Sequence, residues 1–197
     1  LVIGSETLSR VLDKYDRDSM IFSDGAGACI LQSVESDKEN GILASSAMTH
    51  TMDEAYYLFL GPSNHPDSDV DKRYIKMRGR KVYQYALRFV PEAMKNALNK
   101  TGIDINEVKR IFIHQANEKL DTEVVNRFYR LYKMKPPENI MPMSVHELGN
   151  SSVATVPTLY DRVKKGEMPD YSIRAGDVII FASVGAGMNI NAVVYRE

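Results

Sequence analysis

The sequence has a single cysteine, Cys29, in 197 residues. One thiol closes no internal disulfide and builds no cysteine zinc site, so a reducing cytoplasm is the expected setting. An excess of charge of either sign is also missing. Lys and Arg number 25 against 26 Asp and Glu, a formal net charge of −1, and nothing global points to nucleic acid. No apolar run approaches the ~20 residues of a membrane span. The chain opens on Leu1-Val2-Ile3-Gly4, inside a strand-like run, with neither an initiator Met nor a charged n-region; no signal peptide is expected, and the sequence reads as a fragment. The four histidines show no metal-ligand spacing, and His146-Glu147 is no zincin motif because Asn150 stands where the second histidine belongs. No phosphate loop ends in Gly-Lys-Ser/Thr. Asp24-Gly25-Ala26-Gly27 lacks the third glycine of the dinucleotide fingerprint. No short repeat and no low-complexity tract occurs.

What is present is ordinary for a globular chain: 44% hydrophobic and 26% charged residues, enough for a real core in one large domain or two small ones. Leu1 to Ser5 reads as a buried strand. Ser19 to Ser33 reads as two apolar runs around a tight Ser23-Asp24-Gly25-Ala26-Gly27 turn, and Cys29 within Ala28-Cys29-Ile30-Leu31 as a small core hydrophobe. Ile42 to His50 is strand-like. Met52 to Lys76 is irregular, with Gly61 to Pro66 a loop. Val82, Ala86, Phe89, Ala93 and Ala97 mark one helix face, with a kink or break expected near Val90 because Pro91 removes a donor. Asp104 suits a short capped turn before a strand from Arg110 to Ile113. Asn117 suits the N-cap of a second helix with Leu120, Val124, Phe128 and Leu131 as its stripe, stopped by Pro136-Pro137. A strand-like run ends at Val145, a third helix spans about Ser152 to Lys165, and two strands, Asp177 to Ser183 and Asn189 to Arg196, flank Gly185-Ala186-Gly187. The expected class is α/β with a mixed sheet.

Three polar or glycine-rich clusters follow strand-like runs: His114-Gln115-Ala116-Asn117, His146 to Ser152, and Gly185-Ala186-Gly187. Strand ends that lead into helices or turns are where α/β proteins gather their sites. Taken singly, each has an ordinary structural explanation: a strand-end histidine, a helix cap, a plain turn. The basic stretch Arg78, Arg80, Lys81 and Arg88 reads as a solvated helix face or as a docking face for an acidic partner.

Read together, the clusters resemble the ketoacyl-acyl-carrier-protein synthase III family. His114-Gln115-Ala116-Asn117 is similar to its histidine motif, Gly149-Asn150-Ser151-Ser152 to its Gly-Asn-Thr/Ser-Ser motif, and Gly185-Ala186-Gly187 to its C-terminal glycine loop. Asp24 to Ala28 resembles the turn near the end of the family's first half, and Met77, Gly79 and Val82 the start of the helix before the histidine motif. The resemblance implies a thiolase-like fold, a mixed sheet between helical layers, with residues 1–40 closing the N-terminal half and residues 41–197 forming the C-terminal half. It also implies that the nucleophilic cysteine is absent, since that residue precedes the strand at Leu1 and Cys29 aligns with an apolar strand position. The stretch from His114 to Asn150 runs a few residues longer than the family pattern, with the surplus expected around Lys133 to Asn139.

The implied chemistry is a decarboxylative Claisen condensation of an acyl-coenzyme A primer with malonyl-acyl carrier protein, using the thioesters as substrates and no metal or other cofactor. His114 and Asn150 are implied as N–H donors to the enolate oxygen, and the Ala186 N–H, between Gly185 and Gly187, as an arm of the oxyanion hole. Arg17 resembles a contact to the coenzyme A nucleotide, Gly79 and Arg80 the pantetheine-tunnel rim, and Lys119 a contact to the acidic carrier protein. A homodimer is implied for the intact enzyme, and no nucleic acid or membrane partner. Two other readings stand beside this one: a non-catalytic thiolase-fold partner subunit, and a related condensing enzyme such as a polyketide or hydroxymethylglutaryl synthase.

Overall fold

The computed structural model describes residues 1–197. In chain order its strands are β1 (Val2–Glu6), β2 (Gly25–Cys29), β3 (Gly41–Thr49), β4 (Leu58–Gly61), β5 (Tyr74–Met77), β6 (Val108–Ile113), β7 (Val178–Gly185) and β8 (Asn189–Arg196). The helices are α1 (Gly79–Thr101), α2 (Glu118–Arg130), the single turn α3 (Val145–Leu148) and α4 (Thr155–Lys164). The central sheet has the order β3-β8-β7-β6. Its β6 and β7 are parallel, joined by the crossover through α2, α3 and α4, and the other two pairings are antiparallel. That is a mixed sheet in an α/β fold.

Side-chain alternation puts helices on both of its faces. Val178, Ile180 and Ala182 of β7 and Ile190, Ala192 and Val194 of β8 join a core of 25 buried residues with α1 and α2. Phe112 and Ile179, with the opposite parity, pack against Leu159 and Val163 of α4. Val108 and Ile111 share the first face although three positions apart, because the ladder slips between Val108 and Arg110.

Helix α1 corrects one expectation. It runs unbroken through Pro91. Proline has no N–H for the Leu87 carbonyl, but Arg127 of α2 donates its Nη1 to that oxygen at 3.4 Å and is itself held by Glu123 at 2.9 Å. The neighbouring helix supplies the missing donor. Gly102 then ends α1 at φ 70°, a left-handed cap.

The segment before α1 departs most from the sequence reading. Gly25 to Cys29 is a strand paired with β1, not a tight turn. Its glycines serve close approach: a Cβ at Gly27 would lie 2.5 Å from Pro157, and one at Gly25 2.8 Å from Ser151. β1 and β2 therefore lie on the start of α4 by one face only, so Leu1, Val2 and Ile3 are exposed where a buried strand was expected. Cys29 is exposed too, correcting its placement in a core. The antiparallel pair β4–β5 spans Leu58 to Met77, where Met52 to Lys76 was expected to be irregular. The run expected as a strand to Val145 ends instead in the helical turn α3.

Candidate active site

His114 follows the last residue of β6, and its backbone N–H continues the parallel ladder to the Ala182 carbonyl at 2.9 Å. Burial holds its imidazole well below the usual range, at about 4, with a backbone hydrogen bond at Ser152 pulling the other way. At neutral pH the ring is uncharged, the form that can donate one N–H without carrying a full charge into the site.

The next residue ties this strand end to the second motif. Gln115 is fully buried; its Oε1 accepts from the Ser144 N–H at 2.7 Å and the Val145 N–H at 3.1 Å, and its Nε2 donates to the Pro142 carbonyl at 3.2 Å. Three bonds from one amide thus hold the segment that enters α3 and leads to Asn150. Sequence reasoning named Gln115 within the histidine motif but gave it no role. The available signal was a carboxamide placed directly after an apolar strand, where only a fully paired polar group survives burial.

Asn150 is 5% exposed. Its backbone bridges to residues 21–23: the N–H donates to the Ile21 carbonyl at 2.8 Å, and the carbonyl accepts from the Ser23 N–H at 2.9 Å. That approach requires glycine before it, because a Cβ at Gly149 (φ 66°) would sit 3.1 Å from the Ile21 oxygen. Asn150 Oδ1 accepts from the Ser152 N–H at 2.9 Å, so the Nδ2 group is the end left for a ligand. Asn117, by contrast, caps α2 by accepting from the Leu120 N–H at 2.9 Å. Behind it Asp121 is buried, and burial pushes its carboxyl up to about 8 against the backbone N–H groups of Ala116 and Asn117. Its Oδ2 has no partner.

His114 and Asn150 line one cavity of about 790 Å³, and Gly185 and Ala186 line it with them. The β7–β8 hairpin closes at the Gly185–Asn189 pair, which leaves Ala186, Gly187 and Met188 as its loop. A Cβ at Gly185 would meet nothing within 4 Å. Arg17 and Gly79 border the same cavity, whose remaining lining is largely apolar, with Phe59, Ile75 and Met77 from β4–β5. Asp18 lies beside Gly79, its Oδ2 3.2 Å from the position of a Gly79 Cβ.

Three of the expected residues are not brought into this lining. Gly187 bends the loop at φ 71° beyond Ala186, and Arg80 sits exposed on the first turn of α1. Lys119 lies in a separate surface groove with Glu118, Glu123 and Arg127, where charges of both signs alternate. The basic side chains Arg78, Arg80, Lys81 and Arg88 are all exposed.

Comparison with known proteins shows the family and the fold. Residues 98–197 match the family described as 3-Oxoacyl-[acyl-carrier-protein (ACP)] synthase III C terminal, and residues 1–51 match 3-Oxoacyl-[acyl-carrier-protein (ACP)] synthase III. The chain is 32% identical over 210 residues to the beta-ketoacyl-[acyl-carrier-protein] synthase III of Trichodesmium erythraeum, an alignment covering 100% of this chain and 58% of that protein. Among solved structures, the 3-oxoacyl-[acyl-carrier-protein] synthase III of Aquifex aeolicus superposes with a TM-score of 0.76 at 29% identity, covering 100% of this chain and 57% of that one. The Thermus thermophilus enzyme superposes at 0.80 with 26% identity, covering 100% and 58%. The chain thus spans 58% of the length of the curated relative. No helix is long and apolar enough to cross a membrane.

Proposed function

Because this chain belongs to the 3-oxoacyl-acyl-carrier-protein synthase III family, we propose that it forms the condensing wall of a ketoacyl synthase, acting within a longer cytoplasmic, homodimeric protein. The observation that carries the reading is the cavity shared by a neutral His114 and an Asn150 whose amide oxygen is already engaged. In the full reaction a cysteine thiolate takes the acyl group from acyl-coenzyme A and releases coenzyme A thiol. Malonyl-acyl carrier protein then loses carbon dioxide, and the electron pair of the broken C–C bond moves onto the thioester oxygen as an enolate. The enolate carbon attacks the acyl-cysteine carbonyl, and collapse of that adduct expels the thiolate and frees the 3-oxoacyl thioester.

His114 and Asn150 donate N–H groups to the enolate oxygen, where negative charge grows only as carbon dioxide leaves. An uncharged imidazole and a carboxamide suit that task, since neither has a proton to recover. The Ala186 N–H stabilises the oxyanion of the acyl adduct. Arg17 meets the coenzyme A nucleotide, Gly79 and Arg80 border the pantetheine path, and Lys119 docks the carrier protein with Arg78 and Lys81. The reading puts the nucleophile elsewhere than Cys29, and the position of Cys29 on β2, outside the cavity lining, supports that.

The test uses the full-length protein that contains this chain. His114→Ala and Asn150→Ala are each expected to slow malonyl decarboxylation ~10²–10³-fold, the cost of one oxyanion donor. Cysteine acylation by acyl-coenzyme A, followed by intact mass, should persist. Peptide mapping of the 197-residue chain exposed to acyl-coenzyme A should find Cys29 unmodified. Decarboxylation at the wild-type rate in both variants, or acyl-Cys29, defeats the reading.

A further inference from the structure

The loop that carries Ala186 adopts a costly conformation. Gly187 and Met188 are both left-handed, at φ 71° and 49°, and Met188 is not a glycine. Such residues persist only where their surroundings over-determine them. The Met188 side chain is fully buried in the main core, and its carbonyl accepts two bonds from outside the hairpin. The Tyr85 hydroxyl of α1 donates to it at 2.7 Å, and the His50 backbone N–H, just past β3, donates at 3.4 Å.

The Tyr85 hydroxyl has one proton, and the Met188 carbonyl can only accept, so that proton points to Met188. His50 Nδ1 lies 2.6 Å from the same hydroxyl oxygen. It must therefore be the donor in that contact, which selects the Nδ1–H form of the ring. Phe89 holds both rings in place, its centroid 4.4 Å from His50 and 4.7 Å from Tyr85. A directed chain runs from His50 through Tyr85 to the Met188 carbonyl, which lies two residues beyond Ala186 in the same three-residue loop. Neither His50 nor Tyr85 lines the cavity.

We propose that Tyr85, oriented by His50, is a positioning residue that holds the Ala186–Met188 loop so that the Ala186 N–H faces the cavity. The catalytic value of this rests on the role given to Ala186 above; the positioning itself does not. Tyr85→Phe removes the hydroxyl and keeps the ring against Phe89. In the 197-residue chain it should raise amide exchange of the loop about tenfold, the equivalent of one hydrogen bond, while amides of β6 and α2 are unchanged. The Ala186 amide resonance should shift, and the ¹⁵N spectrum of His50 should lose its Nδ1–H preference.

The His50 variants separate orientation from packing. His50→Asn, whose side-chain N–H can replace Nδ1–H, should keep the loop protected; His50→Leu, which keeps only apolar bulk, should loosen it as Tyr85→Phe does. Leu restoring protection better than Asn, or an Ala186 resonance unmoved by Tyr85→Phe, overturns the proposal. Loosening that spreads through β6 also overturns it, because Tyr85 is then a core residue without a directed role. Condensation by the full-length protein reads the other premise. If the loop loosens in Tyr85→Phe and condensation proceeds unchanged, the positioning stands and the oxyanion role of Ala186 fails.

Discussion

The two walls of the cavity are held by different forces. His114 and Ala186 stand at strand ends of the central sheet, over a core of 25 buried residues, and uncharged bonds from Gln115 tie the end of β6 to the segment that leads to Asn150. Arg17 stands on a thin layer, the β4–β5 pair and the segment around residues 11 to 21, and Gly79 follows that pair at the start of α1. Charge holds that layer together. Lys76 Nζ donates to Asp13 at 2.6 Å, Asp16 at 2.9 Å and Asn64 Oδ1 at 3.0 Å, and Asp13 also accepts from Ser63 and from the Asn64 and Tyr15 N–H groups. An apolar wall is built to keep geometry, whereas an ionic wall can be taken apart by a single proton or a single substitution.

The largest expected effect follows from breaking the ionic wall. Lys76→Met leaves Asp13 buried without its cation and should cost about 3–5 kcal/mol in chemical denaturation. Amides of β4, β5 and residues 11 to 21 should lose protection first, with β6 to β8 retained. Replacing both partners, as Lys76→Met with Asp13→Leu, should recover most of that loss, since Asp16 can turn its carboxylate toward water. Equal loss of protection across both walls in Lys76→Met would show that the comparison is false and that the molecule has one framework.

Acid should separate the walls by pH. Burial raises the Asp13 carboxyl, but the Lys76 bond and the N–H groups of Asn64 and Tyr15 outweigh it and hold it well below 3.8. A depressed carboxyl contributes stability that is whole above its unfolded value and lost as pH falls through the folded one, so this wall weakens only below about pH 4. For Lys76 burial acts downward, and its carboxylate partners raise it overall, so its contribution fails only at alkaline pH. His114 is also depressed, from 6.5 to about 4, and its contribution is lost across that interval. Asp121 runs against it: raised from 3.8 to about 8, it favours the folded state increasingly as pH falls from 8 to 3.8. Stability measured against pH in an Asp121→Asn background should therefore fall between pH 6.5 and 4, and His114→Asn should abolish that slope. A slope that survives the second substitution assigns the titration elsewhere.

The same contrast decides what the sequence could reveal. In the central sheet hydropathy and burial agree, so β6, β7 and β8 and the faces of α1 and α2 were readable from alternation and spacing, as were the caps at Gly102, Asp104 and Asn117. In β4–β5 they disagree: Leu60 is exposed and Lys76 buried, an inversion that made the strands read as irregular. Gly25 and Gly27 looked like turn residues because close approach to Ser151 and Pro157 leaves no hydropathy signal. The three motifs that meet at the cavity were legible as candidate site residues. Gln115 and Tyr85 were not, because both act through backbone carbonyls or N–H groups far away in sequence, which only the fold brings near.

The smallest expected effect probes the apolar wall at its one polar seam. Within α1 the Leu87 carbonyl has lost its ordinary donor to Pro91, and Arg127 of α2 stands in at 3.4 Å. If that contact is what lets the helix run unbroken, Arg127→Met should cost about 1 kcal/mol, the value of one hydrogen bond to a half-buried carbonyl. A second contribution is lost in the same variant, the exposed i,i+4 pair with Glu123, at about 0.3–0.5 kcal/mol. Pro91→Ala distinguishes the two. It returns an N–H to the helix, so the Leu87 carbonyl no longer needs Arg127. In that background Arg127→Met should cost only the small ion-pair contribution, and the difference between the two measurements is the coupling between Arg127 and the proline. An identical cost with and without Pro91 would mean that the guanidinium acts through Glu123 alone, and that Leu87 finds another donor. The apolar wall would then have no polar seam between α1 and α2, and the two walls would differ even more sharply than described.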